Sequence, residues 1–309
     1  MMRVAICITT FQRSVVLRRL LDSIVGLQIQ STAADVCVVI VDNDIHASAR
    51  QVVTDAIPDF KFKISYDVEP VRGLASARNR AVKMAAGADF LAFVDDDETV
   101  DPEWLEHLLA EQRISAADVV MGPVAPQFTQ PPPSWVIKSR FFEKNCHMNE
   151  KVNENYASGG NMLIRGRCFE NLPEPFDRSF NLKVGSDYYL LARLRMMGAK
   201  ISWAPKANVV EYIIPERANA KWILRRRFKI GMAIAISERL LKPRCWLLLR
   251  PLKGLARIAQ GCASLPFAFL QGKAGLVRRL GWIFFGLGNL SGLCSGRYRE
   301  NGAGENDRT

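Results

Sequence analysis

The chain has 309 residues, 49% of them apolar and 24% charged, which is the composition of a folded globular protein and excludes disorder over most of its length. Its formal charge of +11 is local: up to Pro215 there are 24 Lys and Arg against 26 Asp and Glu, and from Glu216 onward 18 against five. The length allows one large domain or two of ordinary size, and the basic last third points to an anionic partner, either nucleic acid or the anionic face of a membrane.

The N-terminus, "MMRVAICITTF", lacks the apolar core and cleavage site of a signal peptide and runs directly into a predicted strand at Arg3–Thr10. A helix follows at Ser14–Ile24, with Val15, Val16, Leu20 and Ile24 at helical spacing and a serine suited to the N-cap. Further strands are predicted at Asp35–Asp44, Phe62–Glu69, Asp89–Asp97 and Asp118–Pro126. Helices at about Leu74–Ala86 and Pro102–Ile114 separate the last three, Asp101 filling the second helix's capping position. Strands alternating with helices predict an α/β fold with a doubly wound, mainly parallel sheet, whose ligands bind beyond the carboxyl ends of the strands. Thr9, Thr10, Asp42–Asp44, Glu69 and Asp95–Asp97 would then gather on one edge.

The segment from Gln127 to Lys183 is less regular: "QPPPSW" is loop, and "ASGGNMLIR" (Ala157–Arg165) reads as a strand with a glycine-rich entry. Helices are expected at Ser186–Gly198 and, long and basic, at Ala220–Leu241. From Arg244 to Gly296 apolar runs alternate with Arg and Lys, none reaching the roughly 20 apolar residues of a spanning helix. Trp246, Trp282, Phe284 and Phe285 beside Arg250, Lys253, Arg278 and Arg279 suit helices lying in a membrane interface. The alternative is a helical cap on the preceding domain with a solvated basic rim. The division expected is therefore 1–215, a helical region at 216–296, and a polar, disordered tail at 297–309. The seven cysteines are odd in number and widely spread, without a CxxC pair, so a disulfide framework and a zinc site are excluded and a reduced, cytoplasmic setting is expected. His46, His107 and His147 form no ligand cluster in the sequence.

The acidic run Asp95, Asp96, Asp97 and Glu98 ends the fourth strand. On a strand Asp95 and Asp97 share one side, and crowded carboxylates raise one another's pKa unless a cation neutralises them. Oxygen-only donors of this kind suit Mg²⁺ or Mn²⁺, which commonly bridges carboxylates to substrate phosphates. No Gly-x-Gly-x-x-Gly and no phosphate-loop lysine motif follows the first strand, which excludes a dinucleotide dehydrogenase and a phosphate-loop NTPase.

With "CITTFQR", "VIVDND", "RGLASARNRAV", "FVDDDE", "ASGGNMLIR" and "GSDYYLLARL" in this order over about residues 3–200, the chain resembles the family-2 glycosyltransferases of GT-A fold, and among them bacterial exopolysaccharide and succinoglycan-type glucosyltransferases. The resemblance implies a catalytic domain at 1–215 that binds a UDP-sugar. Thr9, Thr10 and Arg13 would flank the uridine, Asp42 would accept from the base, and Arg72, Arg78 and Asn79 would lie at the nucleotide. Asp95 and Asp96 would hold ribose and metal, with Asp97 as the main ligand of Mg²⁺ or Mn²⁺ and Asp95 as the second. Gly159, Gly160 and Asn161 would approach donor sugar and acceptor, and Asp187 would be the catalytic base. The family commonly has Glu-Asp where this chain has Ser186-Asp187. "LRRRF" (Leu224–Phe228) is a weak likeness to the Gln-x-x-Arg-Trp motif of processive members, and its arginines are assigned to the diphosphate, a membrane surface or solvent.

The implied activity is inverting, metal-dependent transfer of one sugar, glucose from UDP-glucose, to a lipid-linked or surface-glycan acceptor in exopolysaccharide or lipopolysaccharide biosynthesis. The expected location is the inner face of the cytoplasmic membrane, as a peripheral protein, with no nucleic-acid partner. The competing readings are a nucleotidyltransferase, which would carry a glycine-rich basic loop after the first strand, and a non-catalytic membrane or nucleic-acid-binding protein using the basic third.

Overall fold

The computed structural model describes residues 1–29, 34–143 and 160–294. In chain order the elements are β1 (Met2–Thr10), α1 (Ser14–Val25), β2 (Ala34–Asp42), α2 (Arg50–Ala56), β3 (Lys63–Val68), α3 (Leu74–Met84), β4 (Phe90–Asp95), β5 (Glu98–Val100) and α4 (Trp104–Ser115). There follow β6 (Val119–Met121), β7 (Val124–Phe128), α5 (Ser134–Ser139), β8 (Met162–Arg165), α6 (Arg167–Glu170), α7 (Ser186–Met196), β9 (Ile201–Trp203) and β10 (Val209–Ile213). Three long helices, α8 (Ala220–Leu241), α9 (Arg244–Ser264) and α10 (Gly272–Cys294), complete the described chain.

The main sheet runs β3-β2-β1-β4-β8-β6-β9. Its first four strands are parallel, and β8 is antiparallel to both β4 and β6. Both faces of this sheet are covered, so β1 is apolar from Val4 to Ile8 and divides its side chains by alternation. Val4, Ile6 and Ile8 join Leu17, Leu20, Leu21 and Ile24 of α1 and Trp104, Leu105 and Leu108 of α4. Ala5 and Cys7 face the other way, toward Ala77 and Ala81 of α3 and Leu190, Leu191 and Leu194 of α7. Each fully buried leucine contributes about 1.5–3 kcal/mol by the area it removes from water. The register sets Thr10 beside Asp42 and Thr9 beside Asp95, so the carboxyl ends of β2, β1 and β4 are level.

Several local expectations change. The buried face of α1 is Leu17, Leu20, Leu21 and Ile24, leaving Val15 81% exposed. Ser14 does not cap α1 but donates to the Ser48 carbonyl at 2.8 Å. Asp101 does not cap α4 with its side chain, which accepts from Asn208 at 2.9 Å. The strand predicted at Asp118–Pro126 is two strands, divided at Gly122–Pro123. Its first part, β6, lies in the main sheet, and its second, β7, joins β5 and β10 in a separate three-stranded sheet. The tail at 297–309, the start of the glycine-rich strand and His147 lie outside the described residues.

The C-terminal helices are packed onto the sheet domain: α8 lies against α7, and α10 against α8, α9 and α5. Helices α8 and α10 approach at backbone distance, since a Cβ on Gly231 would lie 2.1 Å from the Phe285 carbonyl oxygen and one on Gly288 2.0 Å from that of Phe228. A buried polar tie joins all three, in which Arg250 of α9 meets Glu238 of α8 at 3.1 Å and donates to Asn289 of α10.

Candidate functional site

A cleft of about 540 Å³ opens beyond the carboxyl ends of β1 and β4, between α7 and α8. One wall carries Thr9, Arg13, Arg78, Asp95, Asp96, Asp97 and Asp187, and the other carries Trp222, Arg226, Ile230 and Ile234 of α8. Strand β4 is buried up to Val94 and releases the chain at Asp95, so Asp96 and Asp97 stand on a turn rather than on a continuing strand. The alternation that put Asp95 and Asp97 on one side does not apply there.

Each aspartate meets arginine. Arg78, with a side chain only 2% exposed, reaches Asp95 at 2.7 Å and also pairs with Asp187. Arg13 contacts Asp96 at 3.0 Å and Asp97 at 3.4 Å, and Arg217 contacts Asp97 at 2.9 Å and Glu211 at 3.1 Å. Beneath this layer Thr10 donates to Asp96 at 2.9 Å. Burial pushes the Asp96 carboxyl up to about 6; Arg13 opposes that shift and the Asp97 charge adds to it. Burial holds the carboxyl of Glu98 well above the usual carboxylate range, and the Asp95 charge adds to the shift. Glu98 accepts the Asp95 N–H at 2.9 Å, and across the small sheet it lies opposite Glu211.

Asp187 occupies the first turn of α7, where the unpaired N–H groups of a helix start favour negative charge. Gly185 sets up that start with φ of 112°, and an added Cβ would lie 2.4 Å from the Cβ of Ala233, so α7 and α8 close on one another there.

Other candidates from the sequence spend their polar atoms on the chain itself. Asp42 is fully buried and accepts from the N–H of Asp44, the N–H of Ala49 and the Tyr66 hydroxyl. Asn79 clasps the backbone of Phe176, donating to its carbonyl at 2.8 Å and accepting from its N–H at 3.0 Å. Asn161 accepts from the indole of Trp104 and donates to the carbonyls of Pro123 and Ala207, all at 2.8 Å. Gly160 makes room for Glu98, whose Oε1 would lie 2.2 Å from an added Cβ. Arg72 is exposed and stacks over Phe11, 4.8 Å from the ring centroid. Gly159 lies outside the described residues.

The sequence reading missed Lys183, Tyr188, Glu211, Arg217 and Trp222, all of which line the cleft. The available signal was the abrupt gain of positive charge after Pro215: Arg217 and Arg226 point part of that charge into an acidic cleft. The donor set of Asp95 and Asp97 fits a hard divalent cation, being oxygen only, with side chains 37% and 16% exposed. Among the described residues, however, no three acidic, histidine or cysteine side chains converge as metal ligands. Arg13 and Arg217 hold the charge that such an ion would otherwise balance.

Residues 5–172, more than half of the chain, match the model of Glycosyl transferase family 2. The succinoglycan biosynthesis protein ExoM of Rhizobium meliloti (strain 1021) is 33% identical over 194 residues, 63% of this chain and 62% of that one. Succinoglycan biosynthesis protein ExoO of the same organism is 25% identical over 195 residues, 57% of this chain and 52% of that one. The match thus spans less than two thirds of either relative. In fold, the chain is similar to S. aureus TarS 1-349 in complex with UDP, with a TM-score of 0.55 at 18% identity, covering 94% of this chain and 91% of that one. The same protein in complex with UDP-GlcNAc aligns with a TM-score of 0.53.

Proposed function

The chain belongs to glycosyl transferase family 2, and we propose that it transfers a single sugar, glucose from UDP-glucose, to a lipid-linked or surface glycan during exopolysaccharide biosynthesis. The observation that carries the reading is one cleft in which Asp187 faces Asp95–Asp97 across Arg78, at the edge where parallel α/β sheets bind ligands. Similarity to two succinoglycan biosynthesis proteins supports the exopolysaccharide setting, and a fold shared with a protein crystallised with UDP and UDP-GlcNAc supports a nucleotide-sugar donor.

Asp187 takes the proton from the acceptor hydroxyl as that oxygen attacks the anomeric carbon. Arg78, locked between Asp95 and Asp187, fixes the spacing of base and donor wall. A single displacement inverts the anomeric centre, so an α-linked donor yields a β-glycoside. Arg13, Arg217 and Arg226 are within the cleft to receive the diphosphate oxygens once these compete for their carboxylate partners. Mg²⁺ or Mn²⁺, held by Asp97 and Asp95, would supply further positive charge for the departing nucleoside diphosphate. The acceptor's lipid carrier places the chain at the inner face of the cytoplasmic membrane as a peripheral protein.

The test is UDP release and glucosyl transfer from UDP-glucose with Mn²⁺, using lipid extract of the source cells as acceptor. Asp187→Asn and Asp97→Asn are expected to lower turnover about 10²–10⁴-fold. Wild-type turnover in both variants would overturn the reading.

A further inference from the structure

Helix α9 is inside out for a helix facing water. A surface helix normally buries an apolar stripe and shows polar residues outside. Here the buried line is Arg250, Gly254 and Gly261, pressed against α10. The opposite side exposes Leu249, Leu252 and Leu255, which are 53%, 60% and 52% exposed, together with Ala256, Ala259 and Ala263. At 100° per residue these six fall on one face, and Lys253 and Arg257 fall along its flank, both exposed. The turn that follows, Leu265–Gln271, continues the apolar surface with Phe267 and Leu270, 60% and 84% exposed.

The charge carried by α9, the turn after it and α10 has one sign. Between Glu238 and Glu300 the sequence holds eleven Lys and Arg and no acid at all. That decides among three occupants. A second copy of the chain would bring two acid-free faces together, and they would repel. Nucleic acid would use the bases and leave the row of leucines unexplained. An anionic bilayer uses both: leucine and phenylalanine enter the boundary of the acyl chains while Lys253 and Arg257 lay their stems along it and place their charges among lipid phosphates.

We infer that the outer face of α9 and the turn after it, from Leu249 to Leu270, is a docking surface for an anionic phospholipid membrane. Among the described residues no helix is long and apolar enough to cross a membrane, so α9 lies along the surface, where its 21 residues cover about 30 Å. The contact is carried to the cleft by packing. Helix α9 is fixed to α10, α10 to α8, and α8 forms one wall of the cleft. The surface deepens the peripheral placement proposed above but needs no sugar transfer to operate, so its failure and the failure of the enzymatic reading are separable.

The test is co-sedimentation of the full chain with vesicles of equimolar phosphatidylglycerol and phosphatidylcholine, and with vesicles of phosphatidylcholine alone. The wild-type chain is expected to bind the anionic vesicles and to be released by high salt. The doubly changed forms Leu252→Asp/Leu270→Asp and Lys253→Glu/Arg257→Glu are each expected to weaken binding roughly tenfold or more. Hydrogen exchange on the unaltered chain supplies a measurement free of folding effects, with added protection expected over residues 249–271. Absence of binding to anionic vesicles, or protection that excludes this segment, overturns the inference. Retention on DNA without vesicle binding assigns the basic third to nucleic acid and overturns it. A stable dimer that protects residues 249–271 without lipid also overturns it.

Discussion

Arg217 meets Asp97 at 2.9 Å although 120 residues separate them in the chain. The arginine stands on the turn Pro215–Arg217 that leads into α8, so the C-terminal region supplies a cation to the acidic edge of the sheet domain. At the proposed metal site, arginine and a divalent ion would compete for one carboxylate. Replacing Arg217 with alanine is expected to tighten binding of Mn²⁺ in the absence of nucleotide by roughly tenfold, because an opposite charge beside the carboxylate is removed. Electron paramagnetic resonance of free Mn²⁺ during titration measures this. Unchanged or weaker affinity would show that the ion does not use Asp97.

Arg226 is a different case. Its Nε is buried without a hydrogen-bond partner among the described residues, and burial lowers the guanidinium's pKa, with the charges of Glu211, Asp95 and Asp97 nearby opposing that. A cation held this way costs stability until an anion arrives. Arg226→Ala is expected to lower kcat for UDP-glucose about 10- to 1000-fold while raising the melting temperature or leaving it unchanged. Arg226→Lys should restore part of the rate. Full activity in the alanine variant would remove Arg226 from the diphosphate.

Asn161 separates a structural from a binding role. Its three hydrogen bonds satisfy a buried indole and two carbonyls, and its φ is 147°. Asn161→Ala is expected to destabilise the fold by about 2–4 kcal/mol through groups left unsatisfied in the core. The KM for donor should stay unchanged in the folded fraction. Urea unfolding read beside donor kinetics distinguishes the two; a raised KM with normal stability would return Asn161 to the site.

The parallel half of the fold was legible because β1 and β2 carry β-branched runs and β4 an apolar one, each ending in polar residues, and the register does bring Thr9, Thr10, Asp42 and Asp95 to one edge. The small sheet was not. Glu98–Val100 pairs with Val209–Glu211 across more than 100 residues, and strands of three and five residues leave little period to read. Asn79 and Asn161 stand in motifs that look like ligand positions, yet local sequence cannot distinguish an amide that holds a ligand from one that holds its own backbone. The cation partners of Asp95–Asp97 were missed for a related reason. Mutual repulsion pointed to a cation, and Arg13, Arg78 and Arg217 are cations delivered by tertiary structure rather than by spacing.

Asp96 gives the site a measurable pH signature. Its carboxyl is pushed from 3.8 to about 6, chiefly by burial. The folded chain therefore holds a proton there that the unfolded chain has already lost between these values. By linkage, this group's contribution to stability is complete below about pH 4 and is lost as pH rises through about 6, a change of about 3 kcal/mol. Asparagine resembles the protonated acid and cannot titrate. The difference in urea midpoint between wild type and Asp96→Asn is thus expected to shift in favour of the variant as pH rises from about 4 to about 7, and to be flat above that. Thr10→Val, which removes the hydroxyl that donates to the charged carboxylate, should move the midpoint of this shift upward. A difference that does not vary with pH, or that falls for the variant over the same range, would mean that Asp96 is ionised in the folded chain throughout and that Arg13 outweighs its burial.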